Sequence, residues 1–340
     1  MDLGFTADFF NPATNGVVDK THQLVTVHGK AGQPSYVYNR SIILAVNLAR
    51  AARRPLFIAG KPGTGKTTLA ANVASVLGWN YYQKVVTSRT RARDLMWTFD
   101  SLRRLSDAQE QGKRLPPRAT YVQPQEFWWA FDPDSARRRG ATPAERKSVS
   151  DSEDPVRHQL PTAGTKRARR AGAKNAPPCA VLLLDEIDKA DPDLPNDLLE
   201  PFDVGTFTVR DTNDPIERTR DVLLMLTTNG ERELPPAFLR RCVALKLPDP
   251  TDDWFVKIAE RRLHETEQAS PLLRDVAAEV MAWRQRTRKA GVRAPGTAEY
   301  LDAVLACREL GITPASTAWR DVALAVLWKN DKEPPPAPAS

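Results

Sequence analysis

The chain has 340 residues, enough for one large domain with a smaller second one or for two ordinary domains, and a single core is not expected. Hydrophobic residues make up 41% of it, and no apolar run approaches the roughly 20 residues that cross a bilayer, which argues against a helical membrane protein. The net charge is +7, and all of it sits between Ser135 and Pro178, where eleven Lys or Arg residues face four acids.

The N-terminus carries neither a basic n-region nor an apolar h-region, so no secretory signal is read and a cytoplasmic protein is expected. Cys179, Cys242 and Cys307 lie far apart and form no metal-ligand spacing with His22, His28, His158 and His264. Free thiols are expected, with no zinc and no disulfide.

Residues 1–35 give no assignable element. Ser41 to Arg53 sets Ile42, Ile43, Val46, Leu48 and Ala49 at helical spacing, and Leu56-Phe57-Ile58-Ala59 then reads as a buried strand running into Gly60. Thr67 to Leu77 is helical again, and Tyr81 to Thr87 is a second strand. The stretch 135–178 is rich in Ala, Gly, Pro and Ser, so a mobile basic insertion is expected; a solvated loop is favoured over a nucleic-acid arm.

Val181 to Leu184 and Val222 to Leu226 are continuous apolar runs, as in the doubly covered strands of a parallel sheet. Between them Gly205 to Arg210 alternates with period two before a turn at Asp211 to Pro215, which predicts a hairpin with Phe207 at its tip, touching a substrate. Beyond Pro250 the pattern is helical, with Leu272, Val276, Val280 and Trp283 on one face and Leu301, Val304, Leu305 and Leu310 on another. The tail, 331–340, is Pro-rich and expected to be disordered.

Chemistry concentrates at Gly60-Lys61-Pro62-Gly63-Thr64-Gly65-Lys66-Thr67, a complete P-loop pattern set between a strand and a helix. Its glycines let backbone N–H groups converge on phosphates, Lys66 reaches the β- and γ-phosphates, and the Thr67 hydroxyl ligates Mg2+. Asp185 ends the Val181 strand and is the second Mg2+ residue; Glu186 is the candidate to polarise the attacking water, the alternative being a helix N-cap. Asn229 ends the next strand and, in a parallel sheet, lies beside Asp185; by itself it is a turn residue. Arg240 and Arg241 read either as surface ion-pair residues or as a finger reaching a neighbouring subunit's nucleotide.

Together these segments resemble the AAA+ ATPases, and more narrowly their MoxR branch. Gly60 to Thr67 looks like Walker A, Leu182 to Ala190 like Walker B with its extension, Thr227-Thr228-Asn229 like sensor 1, Leu234 to Cys242 like the arginine-finger segment, and Arg93 to Asp100 like the helix-2 region. The resemblance implies a P-loop α/β three-layer sandwich over 36–248 and a small helical lid over 249–330. It also implies Mg2+-dependent ATP hydrolysis, with Gly60, Pro62, Gly63, Thr64, Gly65, Lys66, Thr67, Thr68 and Asp185 at the nucleotide, Val37 and Tyr38 at the adenine, and Arg293 as sensor 2. A hexameric ring follows, in which Arg241, or Arg240, acts in trans, and a chaperone-like role on a von Willebrand factor A domain protein or another client.

Overall fold

The structure, a computed structural model, describes residues 10–14, 17–18, 24–27, 36–110, 115–156, 179–263 and 271–329. The four histidines, most of the basic insertion (157–178) and the tail lie outside them.

The N-terminal segment forms β1 (Val17–Val18) and β2 (Leu24–Val27), which pair antiparallel with each other and with β3 (Tyr36–Asn39). Asn39 then caps α1 (Arg40–Ala52), its side chain accepting from the Ile42 N–H at 3.0 Å. Phe10 lies edge-on to Tyr38, and its backbone N–H and C=O are both bonded to the buried Asn47 amide. Part of the unassigned segment is thus fastened to α1.

Strand β4 (Leu56–Ala59) leads through the P-loop into α2 (Lys66–Leu77), and β5 (Asn80–Val85) follows. A side excursion comprises α3 (Ala92–Met96), β6 (Trp97–Phe99), α4 (Ser101–Gln109), β7 (Val122–Pro124), α5 (Glu126–Phe131) and α6 (Pro133–Arg137). The chain returns as β8 (Ala180–Asp185) and α7 (Leu194–Val204), forms the hairpin β9 (Thr206–Val209) and β10 (Asp214–Glu217), and completes the sheet with β11 (Val222–Thr228), the short α8 (Pro236–Leu239) and β12 (Val243–Lys246). The five main strands stand in the order β12-β4-β11-β8-β5, all parallel, with helices on both faces. Side chains of β8 alternate between the two cores. Ala180, Leu182 and Leu184 enter an aromatic one with Trp128, Phe131 and Phe202; Val181 and Leu183 enter an aliphatic one with Ile42, Val46, Leu69 and Val73.

Helices α9 (Asp252–Arg262), α10 (Pro271–Lys289), α11 (Thr297–Leu310) and α12 (Trp319–Leu327) enclose a separate core of Phe255, Val276, Val280, Trp283, Tyr300 and Val304. Leu305 and Leu310, expected on its apolar face, are exposed instead, because α11 buries the stripe through Tyr300, Ala303, Val304 and Cys307.

Two other expectations are corrected. Phe207 is not at the hairpin tip: it is buried, stacked on Trp97 and packed against Phe127, Trp128 and Phe131, while the turn is made by residues 210–213. Alternation had identified one covered face, and the cover turned out to be the protein's own excursion. The Trp97 indole N–H also donates to Asp211 at 2.8 Å, so the β6–β7 pair and the β9–β10 hairpin form one unit.

The basic insertion was expected to be mobile from Ser135 onward, but its described residues, 135–156, pack on the excursion. Arg139 donates to the Val122 carbonyl at 2.9 Å and the Ser150 carbonyl at 3.0 Å, Gln123 donates to Ser152, and Ala136, Ala141 and Val149 are buried. Small side chains and one guanidinium reaching backbone carbonyls supply the order that an aliphatic pattern would have announced.

Candidate active site

The carboxyl ends of β4, β11 and β8 meet at one edge of the sheet. Register alone brings the site together: Leu226 pairs with Leu184 and Thr228 with Ala59, so the next residues along, Thr227, Asp185, Asn229 and Gly60, are neighbours. The P-loop turns through Gly63 and Gly65, at φ of 79° and 86°, a left-handed backbone that residues with a Cβ rarely adopt. Thr64 closes the loop on itself, its hydroxyl donating to the Lys61 carbonyl at 2.8 Å.

Lys66 is buried at the start of α2, and its ammonium has three acceptors: the Gly60 carbonyl at 2.7 Å, the Lys61 carbonyl at 3.0 Å and the Asn229 amide oxygen at 2.7 Å. Burial lowers its pKa, and the carboxylates of Asp185, Asp188 and Glu186 oppose that shift. Asn229 passes the contact on, its NH2 donating to Glu186 Oε1 at 3.0 Å, and Lys189 holds Oε2 at 2.8 Å. A second chain runs from the Thr67 hydroxyl to Asp185 Oδ2 at 2.7 Å, while Asp185 Oδ1 accepts from Thr227, whose oxygen in turn accepts the Glu186 N–H at 2.9 Å.

Glu186 has φ 61° and ψ 48°, a left-handed conformation that costs a non-glycine residue about 1–3 kcal/mol and clusters at functional sites. The Thr227 bond to its N–H fixes that backbone. Glu186 precedes the short 3-10 turn Ile187–Lys189 at its N-cap position, but its side chain makes no capping hydrogen bond there.

Thr67 and Asp185 fit a magnesium ion: two hard oxygen donors stand together at the start of α2, a small set that suits an ion retaining most of its water and phosphate ligands. Among the described residues no group of three or more His, Cys, Asp or Glu forms an all-protein metal cage.

Thr227 and Asp188 lie within the sensor 1 and Walker B segments read from sequence, but neither was given a role of its own. Asp188 is buried and accepts the Asn229 N–H at 3.2 Å and the Glu231 N–H at 3.0 Å, so it shapes the loop that presents Asn229. Its signal was a second acid two residues after Glu186.

Thr68 is half-buried on α2, next to Thr67. Val37 and Tyr38 are buried on β3, where the Tyr38 hydroxyl is spent on Asn72 at 2.7 Å; the neighbouring Tyr36 ring lies against Gly65. Arg293 lines a cavity of about 380 Å3 between the P-loop and the lid, together with Lys61, Thr64, Asn229, Arg284 and Arg288. Its guanidinium is bonded to Glu299 at 2.7 Å.

Arg240 and Arg241 lie at the opposite edge of the sheet. They end α8 just before Val243, which pairs with Leu56 at the amino end of β4, four residues before the P-loop. Both are exposed, and Arg241 has only a loose 3.9 Å pairing with Asp203.

Fold and site together define a P-loop ATPase. The sequence pattern of the ATPase family associated with various cellular activities (AAA) matches residues 56–247, more than half of the chain, and the chain belongs to that family. A 128-residue stretch is 33% identical to the peroxisomal Lon protease homolog 2 of Danio rerio; it covers 33% of this chain and 15% of that protein, so the chain spans a small part of this relative. Among solved structures, the Thermotoga maritima RuvB Holliday junction branch migration motor overlaps at a TM-score of 0.40 with 16% identity, covering 84% of this chain and 66% of that one. A point mutant of the same motor gives 0.42, 16%, 84% and 67%. Among the described residues no helix is long and apolar enough to cross a membrane.

Proposed function

We propose that the protein is a ring-forming, Mg2+-dependent ATPase of the MoxR type that spends hydrolysis on remodelling or assembling a partner protein. The observation that carries the catalytic part is the pair of hydrogen-bonded chains, Lys66–Asn229–Glu186 and Thr67–Asp185–Thr227, converging on one sheet edge at the P-loop.

In this reading the P-loop amides and Lys66 bind the β- and γ-phosphates of ATP, and Lys66 exchanges loop carbonyls for phosphate oxygens. Thr67 and Asp185 would hold a magnesium ion, which would supply positive charge to the phosphoryl group being transferred. Glu186 orients a water and takes its proton as the water oxygen bonds to phosphorus and ADP departs with the electron pair of the broken bond. Asn229 holds the Glu186 carboxylate in line. Arg241, with Arg240 second, serves a neighbouring subunit's nucleotide, a role supported by its distance from its own P-loop along β4. Val37 and Tyr38 flank the adenine, and Arg293 contributes from the lid. The MoxR reading draws support from the Arg93 to Asp100 segment, whose strand β6 is tied to the β9–β10 hairpin through Trp97, stacked on Phe207 and bonded to Asp211; a client such as a von Willebrand factor A domain protein belongs to that reading.

A nucleic-acid arm is less well supported. The described part of the insertion, 135–156, carries five basic and four acidic residues and offers no basic patch; the other six basic residues, with no acid among them, fall in 157–178, outside the described residues.

Light scattering of Glu186→Gln with and without ATP and Mg2+ tests the reading. A shift from the 37.8 kDa protomer to about six copies is expected, and a monomer in both states would overturn the ring.

A further inference from the structure

The cavity between the P-loop and the lid holds more positive charge than its acids answer. Lys61, Arg284, Arg288 and Arg293 line it, with Glu231 as the one acid among the lining residues. Arg293 is matched by Glu299. The other three converge on a single carboxylate just outside, Asp249 in the Pro248-Asp249-Pro250 linker that joins the sheet domain to the lid.

Asp249 Oδ2 accepts from Lys61 at 2.9 Å and from Arg288, and its Oδ1 stands 3.7 Å from Arg284 Nη2. Three cations therefore share one anion. Arg284 is the least satisfied: it is 4% exposed, lies over the Phe255 ring, donates from Nη1 to the Pro295 carbonyl, and its Nε and Nη2 have no hydrogen-bond acceptor among the described residues. A buried guanidinium with two unmet donors is costly, and burial accordingly lowers its pKa. Burial also works against ionising Asp249, but the Lys61 bond and the charges of Lys61, Arg288 and Arg284 hold its pKa below the ordinary carboxylate value.

Resting on the ATP reading above, we infer that Asp249 is an internal stand-in for the nucleotide's phosphates, holding Lys61, Arg284 and Arg288 until a triphosphate takes over the two lid arginines. The chemistry favours this exchange. A triphosphate in the P-loop brings several negative oxygens beside Lys61 and Thr64, and a planar guanidinium matches a phosphate edge with two parallel bonds. Diphosphate, with less charge at the lid, competes less well. Asp249 thus tunes the preference for ATP over ADP as a specificity-determining residue, acting through the arginines and not by touching the nucleotide.

The test is equilibrium binding of fluorescent ATP and ADP to the full-length chain with Mg2+, in a Glu186→Gln background that blocks turnover. Asp249→Asn is nearly isosteric and frees the arginines, so ATP is expected to bind about 10-fold tighter, with a smaller change for ADP. Arg288→Gln is expected to weaken ATP binding about 10-fold, and adding Asp249→Asn to it is expected to give little of the gain seen with Asp249→Asn alone. Unchanged or weaker ATP binding by folded Asp249→Asn, or equal tightening for ATP and ADP, overturns the inference. Loss of the Arg288→Gln effect does the same. Failure of the parent chain to bind either nucleotide would instead overturn the ATPase reading itself.

Discussion

The sheet edge and the lid cavity sit on either side of the same P-loop and are built by opposite rules. At the sheet edge the reactive groups have near neighbours: Lys66 has three acceptors, Glu186 and Asp185 are each bonded at both oxygens, and one carboxylate oxygen, Asp188 Oδ1, has no donor among the described residues. At the lid cavity three cations share Asp249, and Arg284 keeps two donors unmet. The saturated side is suited to fixing a reaction geometry, and the unsaturated side to responding when an anion arrives.

That contrast holds only if the sheet edge is still incomplete within one chain, and Arg241 tests this most severely. Arg241→Ala is expected to reduce phosphate release by about 10^3 to 10^5, with partial recovery when it is mixed with Glu186→Gln subunits. A nearly normal rate for Arg241→Ala would make the site self-sufficient.

The next largest effect falls on folding. Phe207→Ala empties a position packed among Trp97, Phe127, Trp128 and Phe131, and a loss of about 3–5 kcal/mol is expected in denaturant titration. A loss below about 1 kcal/mol would mean that the hairpin is held by Asp211 and its own ladder alone.

Thr227→Val probes the saturated side more finely. It removes the donor to Asp185 and the acceptor for the Glu186 N–H, so kcat is expected to fall about 10- to 100-fold, and the buried groups left unpaired are expected to cost about 1–3 kcal/mol of stability. A loss of stability with kcat unchanged would make Thr227 a packing residue.

The smallest expected effect is on Cys242. Burial pushes its thiol up to about 12, with Asp203 adding to the shift and Arg54 opposing it. At pH 8 about one molecule in 10^4 then carries the thiolate, so iodoacetamide should label Cys242 far more slowly in the native chain than in denaturant. Each pH unit below 12 should cut the native rate about tenfold.

The two sides also differed in how far sequence revealed them. Gly60 to Thr67 and Asp185-Glu186 are contiguous, and one step of parallel register carries Asn229 to them, so the reactive half of the site was legible. Asp249, Lys61, Arg284 and Arg288 come from a linker, a loop and a helix, and nothing in their local patterns indicates that they meet. Thr227 was read only as part of the segment that ends in Asn229, because nothing in the sequence shows that its hydroxyl bridges Asp185 and the Glu186 N–H. Four of the five sheet strands were readable from their apolar or β-rich runs, whereas β12 was not, because Val243–Lys246 is a four-residue edge strand ending in Lys246. Nor was the described part of the basic insertion, because its order comes from Arg139 reaching carbonyls of a strand more than a dozen residues earlier.

The P-loop also touches the lid directly. The Thr297 N–H donates to the Gly63 carbonyl at 3.3 Å, and a Cβ built on Gly296 would stand 3.2 Å from the Gly63 Cα and 3.3 Å from the Pro62 carbonyl oxygen. Gly296 has φ −111°, which alanine accepts readily, so a methyl there acts as a thin shim without straining its own backbone. The shim sits at the root of α11, whose 14 residues extend about 21 Å from this point. A few tenths of an ångström at the root are magnified along that lever, and Gly296→Ala becomes a handle for propping the lid ajar from a position that carries no charge and no catalytic group.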